Sequence, residues 1–99
     1  MQDFHRHIIL LALADGPRHG YEIQQEVMGI SGGVVYFPLT SLYRTLKSLD
    51  KDGFIERADA RLADGKQIPY SITRKGASEL HRASIVYGDF AYKARQKLR

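Results

Sequence analysis

The sequence predicts a mainly α fold of the α+β class, in which several short helices and one β-hairpin precede a long helix. Three observations carry this prediction. Leucines recur at helical spacing between residues 39 and 49, two strand-like runs flank the turn pair Asp64-Gly65, and an apolar 3-4-3-4 stripe follows residue 73. A chain of 99 residues suits one domain, or one domain with an accessory helix.

The first two helices are predicted from their apolar residues. Residues 4–14 are apolar on nearly every side from Ile8 onward, which indicates a short helix buried at the centre of the domain. The Asp-Gly-Pro sequence at 15–17 ends it, because glycine suits a left-handed helix stop and proline cannot continue a helix. A second helix runs from about Gly20 to Met28 and buries Ile23 and Val27. Its polar residues are predicted to face outward: Glu22, Gln24, Gln25 and Glu26.

A short strand and a third helix are predicted next. Val34–Phe37 is β-prone, and Pro38 stops it. The third helix has Thr40 as its N-cap and Gly53 as its stop. The apolar stripe that defines its buried side includes the ring of a tyrosine, which is therefore expected in the core: Leu39, Leu42, Tyr43, Leu46 and Leu49.

The hairpin and the last helix complete the chain. Phe54–Ala58 and Gln67–Thr73 are the predicted strands, and Pro69 makes the second an edge strand, since proline cannot donate to a ladder. Thr73 caps a helix of about 25 residues, roughly 37 Å long, which is more than the small domain can cover. Part of its stripe is therefore expected to meet a second chain: Ala77, Leu80, Ser84, Tyr87, Ala91, Ala94 and Leu98, widened by Ala83, Val86 and Phe90.

Composition excludes several classes of protein. The chain has no cysteine, which excludes a disulfide framework and a thiolate metal site and fits a reducing compartment. No apolar run reaches the roughly 18 to 20 residues that span a bilayer. No histidine pair has metal-ligand spacing. A cytoplasmic protein with no cofactor, no metal and no membrane partner is expected.

One catalytic pattern occurs and is set aside. Gly29–Gly33 satisfies G-x-S-x-G, with Ser31 in the position of a nucleophile. That motif needs a strand before the serine, a helix after it and a large α/β sheet, whereas here a helix precedes and the chain is short. A flexible turn is expected at this point, and the protein is predicted not to be an enzyme.

The polar side of the third helix is the strongest candidate for a binding surface. Arg44, Lys47 and Lys51 lie at i, i+3 and i+7, and hydroxyl groups accompany them at Thr40, Ser41 and Ser48. Such a helix suits a major groove of DNA, where hydroxyls and arginine reach base edges or phosphates. A solvated amphipathic face explains the same residues equally well, so the helix alone decides nothing.

The predicted hairpin favours DNA. Arg61 and Lys66 flank its turn and Arg57 leads into it, so its tip is suited to the phosphate backbone. A basic hairpin directly after a basic helix defines a winged helix-turn-helix. Net charge is weaker support: the total is +4, but residues 1–73 carry eight Lys/Arg against nine Asp/Glu, and residues 74–99 carry seven against two. The nearly neutral first part leaves open a winged-helix protein-interaction module without DNA binding.

Three segments resemble the PadR family of bacterial transcriptional regulators. They read ILLALADGPRHGYEI at 9–23, SLYRTLKSLDKDGFIE at 41–56 and YSITRKGASEL at 70–80, in the family's order and spacing. The resemblance implies a homodimeric repressor of double-stranded DNA operators with two-fold symmetry, often of the ATGT/ACAT type. Thr40 departs from the family pattern, which usually has glycine there.

The resemblance also divides the chain and implies site residues. Residues 1–73 form a winged helix-turn-helix DNA-binding domain, and residues 74–99 form a C-terminal dimerisation helix. Family positions place DNA contacts at Tyr21, Thr40, Ser41, Tyr43, Arg44, Lys47, Arg61 and Lys66, to which the polar helix face adds Ser48 and Lys51. The expected dimer interface comprises Leu80, Ala83, Ser84, Tyr87, Phe90, Ala91, Ala94 and Leu98. Some members bind planar or phenolic compounds between subunits. Tyr87, Phe90 and Tyr92 therefore serve either a pocket for a small aromatic effector or the interface core.

Overall fold

The computed structural model describes residues 2–58 and 68–99. In these ranges, four helices and a two-stranded sheet follow one another in the order α1 (Gln2–Leu13), α2 (Gly20–Ile30), α3 (Leu39–Lys51), β1 (Ile55–Arg57), β2 (Tyr70–Ile72) and α4 (Arg74–Lys97). The predicted mainly α architecture, with a hairpin between the third helix and a long last helix, is confirmed.

α1 lies at the centre of the hydrophobic core, as its sequence predicts. Its Ile9, Leu10 and Ala12 are completely buried. α2, β2 and α4 all pack against it. Further core residues come from the apolar faces of α2, α3 and β1: Ile23, Val27, Leu42, Leu46, Leu49 and Ile55. Phe37 and Tyr70 complete the buried cluster.

The start of α3 differs from the prediction. Pro38 is its N-cap, with φ at −56°, and the Pro38 carbonyl accepts a hydrogen bond from Leu42 N at 2.9 Å. Thr40, the predicted cap, lies inside the first turn, and no side chain of the described residues caps the helix. Because proline already fixes the direction of the chain here, the helix begins before the hydroxyl. The predicted stop is confirmed, since Gly53 follows α3 with φ at +80°.

The strand predicted at Val34–Phe37 does not form. The sheet of the described residues contains only β1 and β2, and the backbone of this segment bonds to side chains instead. Val35 N donates to Ser31 Oγ at 3.0 Å, and the Phe37 carbonyl accepts from Gln24 Nε2 at 2.7 Å. Gln24 is consequently only 5% exposed, although the α2 pattern predicts it in solvent. The predicted strand at Val34–Phe37 and the predicted exposure of Gln24 are therefore both wrong. An extended segment without a neighbouring strand satisfies its backbone hydrogen bonds with side chains.

The sheet connects the hairpin to the turn between α1 and α2. β1 and β2 are antiparallel, with Ile55 opposite Ile72 and Arg57 opposite Tyr70. On the other side of β2, Tyr70 N donates to the Arg18 carbonyl at 2.9 Å and Arg18 N donates to the Tyr70 carbonyl at 3.1 Å. Both strands are shorter than predicted. The predicted turn at Asp64-Gly65 lies outside the described residues.

α4 begins where the sequence predicts and extends beyond the core. Thr73 Oγ1 accepts from Gly76 N at 3.0 Å and donates to the Gly53 carbonyl at 2.7 Å. The helix has 24 residues and is about 36 Å long. Its first half packs on α1, whereas residues 84–99 contain no buried side chain. The molecule is therefore elongated, 55 Å long and 27 by 21 Å across.

Candidate nucleic-acid interface

The exposed side of α3 carries a row of cations, which we call the α3 cationic face: Arg44, Lys47 and Lys51. All three side chains are exposed, as predicted. Within residues 2–58 and 68–99, no carboxylate forms an ion pair with any of them. Thr40 is also exposed, and Ser41 is half-buried. The α3 cationic face is thus presented to solvent with hydroxyl groups at its N-terminal end.

The C-terminal end of α3 is held by α1 and α4. Arg6 of α1 pairs with Asp52 at 2.7 Å and also lies 3.5 Å from Ser48 Oγ. Lys75 of α4 donates to the Asp52 carbonyl at 2.8 Å. Arg6 and Lys75 both lie over the Phe54 ring, 5.3 and 5.1 Å from its centre. The Asp52 charge is therefore balanced within the chain. Ser48 is half-buried toward α1, so the predicted contact between Ser48 and DNA stays a prediction.

α2 presents its N-terminus beside α3. His19 closes a capping box: its Nδ1 accepts from Glu22 N at 3.4 Å, and Glu22 Oε1 accepts from His19 N at 3.1 Å. The Glu22 carboxylate is thereby folded back on the cap. Tyr21, in the same turn, is exposed. This turn of α2 therefore presents the Tyr21 phenol and backbone amides, while the Glu22 carboxylate is directed toward His19.

Tyr43 is not a core residue, which corrects the prediction for its ring. The side chain is 48% exposed, and its ring packs against the backbone of Gly20 at the start of α2. A β-carbon at position 20 would lie 2.7 Å from Tyr43 Cζ and overlap the hydroxyl, so a larger residue there would displace the ring from this position. Position 43 lies at the margin of the leucine stripe, and the gap at Gly20 lets the ring turn outward. Its hydroxyl thus reaches the first turn of α2.

The wing is described only at its base. Arg57, at the end of β1, is exposed. Arg61 and Lys66, the other two predicted wing cations, lie outside the described residues. Arg57 is therefore the wing cation whose surroundings are known.

Ser31 ends α2 and does not sit in a nucleophile turn. Its Oγ accepts from Val35 N at 3.0 Å and lies 3.4 Å from the Met28 and Val35 carbonyl oxygens. A helix precedes it, and the described chain after it is not a helix until Leu39. No group of three or more histidine, aspartate or glutamate side chains in the described part of the chain could hold a metal ion.

Comparison with known proteins identifies the family. Residues 9–82 match the PadR-like family of transcriptional regulators. The chain belongs to this family. None of the curated proteins that were compared matches the sequence.

Solved structures of transcriptional regulators share the PadR-like fold of this chain. One from Clostridium thermocellum has a TM-score of 0.79 at 24% identity, over 96% of this chain and 92% of that chain. A PadR-like regulator from Bacillus cereus has a TM-score of 0.79 at 23% identity, over 96% and 91%. Bacillus subtilis PadR, in a complex with operator DNA, has a TM-score of 0.71 at 27% identity, over 83% of this chain and 47% of that chain. The winged helix predicted from the sequence is confirmed.

Among the helices of the described ranges, none combines the length and the apolar composition of a membrane span.

His7 joins α1 of this PadR-like protein to α4. It is buried, with Nε2 2.7 Å from Glu79 Oε2 and Nδ1 2.6 Å from the Tyr87 hydroxyl. Arg82 donates two hydrogen bonds to the Glu79 carboxylate, at 3.0 and 2.7 Å. These bonds from Arg82, and then the bond with His7, lower the pKa of Glu79 from 4.5 to about 2. Because this carboxylate is ionised at neutral pH, His7 Nε2 is the donor toward it.

An apolar groove lies between α1, the end of α2 and α4. Its volume is about 710 Å³, and Leu11, Ile30, Leu80 and Tyr87 are among the residues that line it. Beyond the groove, α4 exposes further large apolar side chains, of which Phe90 is 73% exposed. The predicted interface residues divide accordingly: Leu80, Ser84 and Tyr87 line the groove, while Phe90, Ala91, Ala94 and Leu98 follow along α4. Ala83 is only 2% exposed within one chain and has little area left for a second.

The sequence did not predict the contacts of Gly20, Arg6 and His7 with other elements. A glycine in the first turn of α2 weakens a helix by about 1 kcal/mol, and that cost could have pointed to the close contact with Tyr43. Arg6 and His7 carry no such signal, because their partners lie 46 and 72 residues away along the chain.

Proposed function

We propose that this PadR-like protein is a sequence-specific DNA-binding repressor that binds a two-fold symmetric operator as a homodimer. In this proposal residues 1–73 form the DNA-binding domain and residues 74–99 the dimerisation helix. α3 lies in the major groove with its N-terminus leading, and the partner subunit's α3 lies one helical turn away, roughly 34 Å along the duplex.

The α3 cationic face is the observation that carries this proposal. Its three cations face solvent. Of the two aspartates beside them along the chain, Asp52 is engaged by Arg6, and Asp50 is exposed and forms no ion pair with a cation of the described residues. Local placement therefore supports DNA binding, although residues 1–73 are nearly neutral as a whole. Arg44 and Lys47, in the middle of the helix, are assigned to base edges or phosphates. Bacillus subtilis PadR, a structural relative at 27% identity, binds operator DNA.

The exposed apolar residues of α4 support the homodimer. Monomeric proteins rarely expose large contiguous apolar patches, and here Ile85, Val86 and Phe90 are exposed on one helix next to an apolar groove. A second copy of the chain would bring the same groove and the same helix, as a two-fold interface requires.

An electrophoretic mobility shift with the DNA upstream of the protein's own gene tests the function. We expect the wild-type protein to shift this fragment, and only specific competitor to abolish the shift. Arg44→Ala and Lys47→Ala should each weaken binding by about ten-fold at fixed salt without changing the melting temperature. Arg95→Ala, which removes an exposed cation near the end of α4, is the matched control and should bind normally.

Two outcomes oppose the proposal. If both α3 variants bind DNA with wild-type affinity, the α3 cationic face is not the DNA-binding surface. A wild-type protein that shifts no DNA fragment would favour a protein-interaction module built on the same winged helix.

A further inference from the structure

His7 is a buried side chain of α1 whose two ring nitrogens both contact α4. Its Nε2 lies 2.7 Å from Glu79 Oε2, and its Nδ1 lies 2.6 Å from the Tyr87 hydroxyl. Histidine is the side chain that ordinarily changes charge between about pH 5 and pH 8. A change of charge on this ring therefore acts on two contacts between α1 and α4.

The two contacts respond differently to a proton, because Glu79 fixes one of them. Hydrogen bonds from Arg82 and His7 lower the pKa of the Glu79 carboxylate to about 2, so the carboxylate is an acceptor at neutral and mildly acidic pH. Nε2 therefore keeps its hydrogen whether the ring is neutral or charged. The proton that is gained or lost is the one on Nδ1, which faces Tyr87.

The Tyr87 hydroxyl has to reverse its role when Nδ1 takes up a proton. Neutral His7 accepts a hydrogen bond at Nδ1, so the hydroxyl donates its single hydrogen to the ring. Protonated His7 donates at Nδ1, so the hydroxyl oxygen becomes the acceptor and its hydrogen points away from His7. The phenol thus presents only lone pairs to its surroundings in the first state and a free donor in the second.

Tyr87 lies where this reversal changes the surface of the chain. It is 38% exposed. Together with Phe4 and His7 it lines both the apolar groove and a second cavity of about 780 Å³ between α1 and α4. A hydrogen that turns away from His7 therefore turns toward a surface that a second protein chain can cover.

The charged and titratable groups around His7 come from two helices. On α1 and α4 they are Asp3, Arg6, Glu79, His81, Arg82 and Tyr87. In the described part of the chain, the other elements around these cavities contribute side chains that do not titrate: Ile30, Ser31, Leu49, Phe54 and Ile72. His81 is thus the one other group in this list that ordinarily changes charge in the same pH range as His7.

We propose that His7 is a pH-sensitive switch of the homodimer: its protonation turns the Tyr87 hydroxyl hydrogen toward the apolar groove and weakens the association of the subunits. This inference rests on the proposed homodimer, in which a second copy of the chain covers the groove. An apolar surface on the groove offers that hydrogen no acceptor, and a buried donor without a partner opposes binding. When His7 is neutral, the hydrogen is bonded within the chain. Neutral His7 therefore favours the dimer.

Analytical ultracentrifugation of the full chain measures the effect. The dimer dissociation constant should rise by about 100-fold from pH 8 to pH 5, about ten-fold for each of the two equivalent groups. His7→Gln keeps a donor for Glu79 but does not titrate, so its dissociation constant should stay nearly constant. His81→Gln, the matched control, removes the other histidine of the groove and should keep the wild-type pH dependence. Circular dichroism at each pH will show that every protein is folded.

Spectroscopy on the wild-type protein observes the hydroxyl itself. Nitrogen-15 NMR of labelled histidine should show that Nδ1 of His7 gains a proton as the pH falls while Nε2 keeps its own. The C–O stretching band of Tyr87 should shift over the same pH range, because the hydroxyl changes from donor to acceptor. Infrared difference spectra against Tyr87→Phe identify this band. A Tyr87 band that does not move while Nδ1 is protonated would overturn the inference.

The outcomes separate this inference from the proposed function. A dimer with the same dissociation constant at pH 8 and pH 5 would overturn the switch and leave the homodimer standing. A pH dependence that His7→Gln retains, or that His81→Gln abolishes, would assign it to another group and also overturn the switch. A chain that is monomeric at every pH would overturn the proposed homodimer, and the inference with it.

Discussion

His7 uses both of its ring nitrogens to join two helices with different proposed roles. α1 belongs to the core beneath α3, and α4 is the proposed dimerisation helix. The bond from His7 to Glu79 and the two bonds from Arg82 stabilise an ionised carboxylate at the contact between them. Because the Tyr87 hydroxyl also lies beside the apolar groove, this group of side chains couples the groove to α1.

The Glu79 carboxylate predicts a loss of stability in acid. Its pKa is about 2 in the folded protein and 4.5 without these partners, so below pH 4.5 the unfolded chain binds a proton more readily. The stabilisation is complete above that pH and is lost as the pH falls toward 2. Glu79→Gln should be less stable than the wild type at pH 7, with the difference in unfolding free energy shrinking between pH 5 and pH 2, by chemical denaturation.

Asp89→Asn is the matched control for this titration. Asp89 pairs with Lys93 at 2.9 Å on the same helix, but both side chains are largely exposed, and exposed pairs contribute little. The difference between this variant and the wild type should be small at every pH. A difference for Glu79→Gln that stays constant from pH 7 to pH 2 would contradict the assigned ionisation.

Single residues of the site were predictable where helical periodicity decides exposure. Arg44, Lys47 and Lys51 lie on the polar side of α3 because their spacing leaves no other place for them. Gln24 and Tyr43 were placed wrongly, since each depends on a partner that periodicity does not reveal: the Phe37 carbonyl for one and the gap at Gly20 for the other.

At the scale of elements, Gly76 sets how closely α4 approaches the hairpin. A β-carbon at this position would overlap the Phe54 carbonyl oxygen and lie 2.9 Å from Ile72 Cγ1. Neither the backbone oxygen nor the packed isoleucine can move without shifting the sheet. The first turn of α4, which Thr73 caps, therefore lies directly on the connection between α3 and β1.

Alanine substitutions at two helical glycines should have opposite effects. Gly76→Ala is expected to destabilise the protein by about 1 to 3 kcal/mol, because the added methyl group has no room. Gly29→Ala, in the last turn of α2, meets nothing within 4 Å and should stabilise by about 0.5 to 1 kcal/mol, because alanine favours a helix over glycine. Urea unfolding measures both. Equal effects of the two substitutions would show that the contact with Phe54 is unimportant.

The elements were largely predictable because each helix carries its own apolar stripe. The exceptions have local causes. Pro38 starts α3 before Thr40, and Val34–Phe37 is β-prone by composition but has no neighbouring strand in the described part of the chain. Strand pairing is a property of two segments, so a single β-prone run does not specify it.

At the scale of the whole molecule, α4 determines the shape. The Cα radius of gyration is 14.6 Å, compared with about 13 Å for a compact domain of 100 residues. The difference reflects a helix whose second half has no core to cover. The boundary predicted after residue 73 therefore separates the proposed DNA-binding part from the proposed dimerisation helix. It does not separate two cores, because the first part of α4 is packed against the domain as far as Ala83.

A charge on the exposed part of α4 should separate the subunits. Phe90→Asp is expected to give a monomer in analytical ultracentrifugation, because an aspartate would be buried in the proposed interface without a partner. Its DNA affinity should fall at least 100-fold, since each monomer then binds one half-site alone. Gln96→Asp adds the same charge off the predicted stripe and should remain dimeric. A dimeric Phe90→Asp protein would place the interface elsewhere.

Hydroxyl-radical footprinting of the protein on its own upstream DNA tests the proposed binding mode most directly. Two α3 helices in successive major grooves should protect two patches related by a two-fold axis, with centres about 10 base pairs apart on one face of the duplex. Arg44→Ala should weaken both patches equally. A single patch, or two patches without two-fold symmetry, would contradict a homodimer that reads its operator with α3.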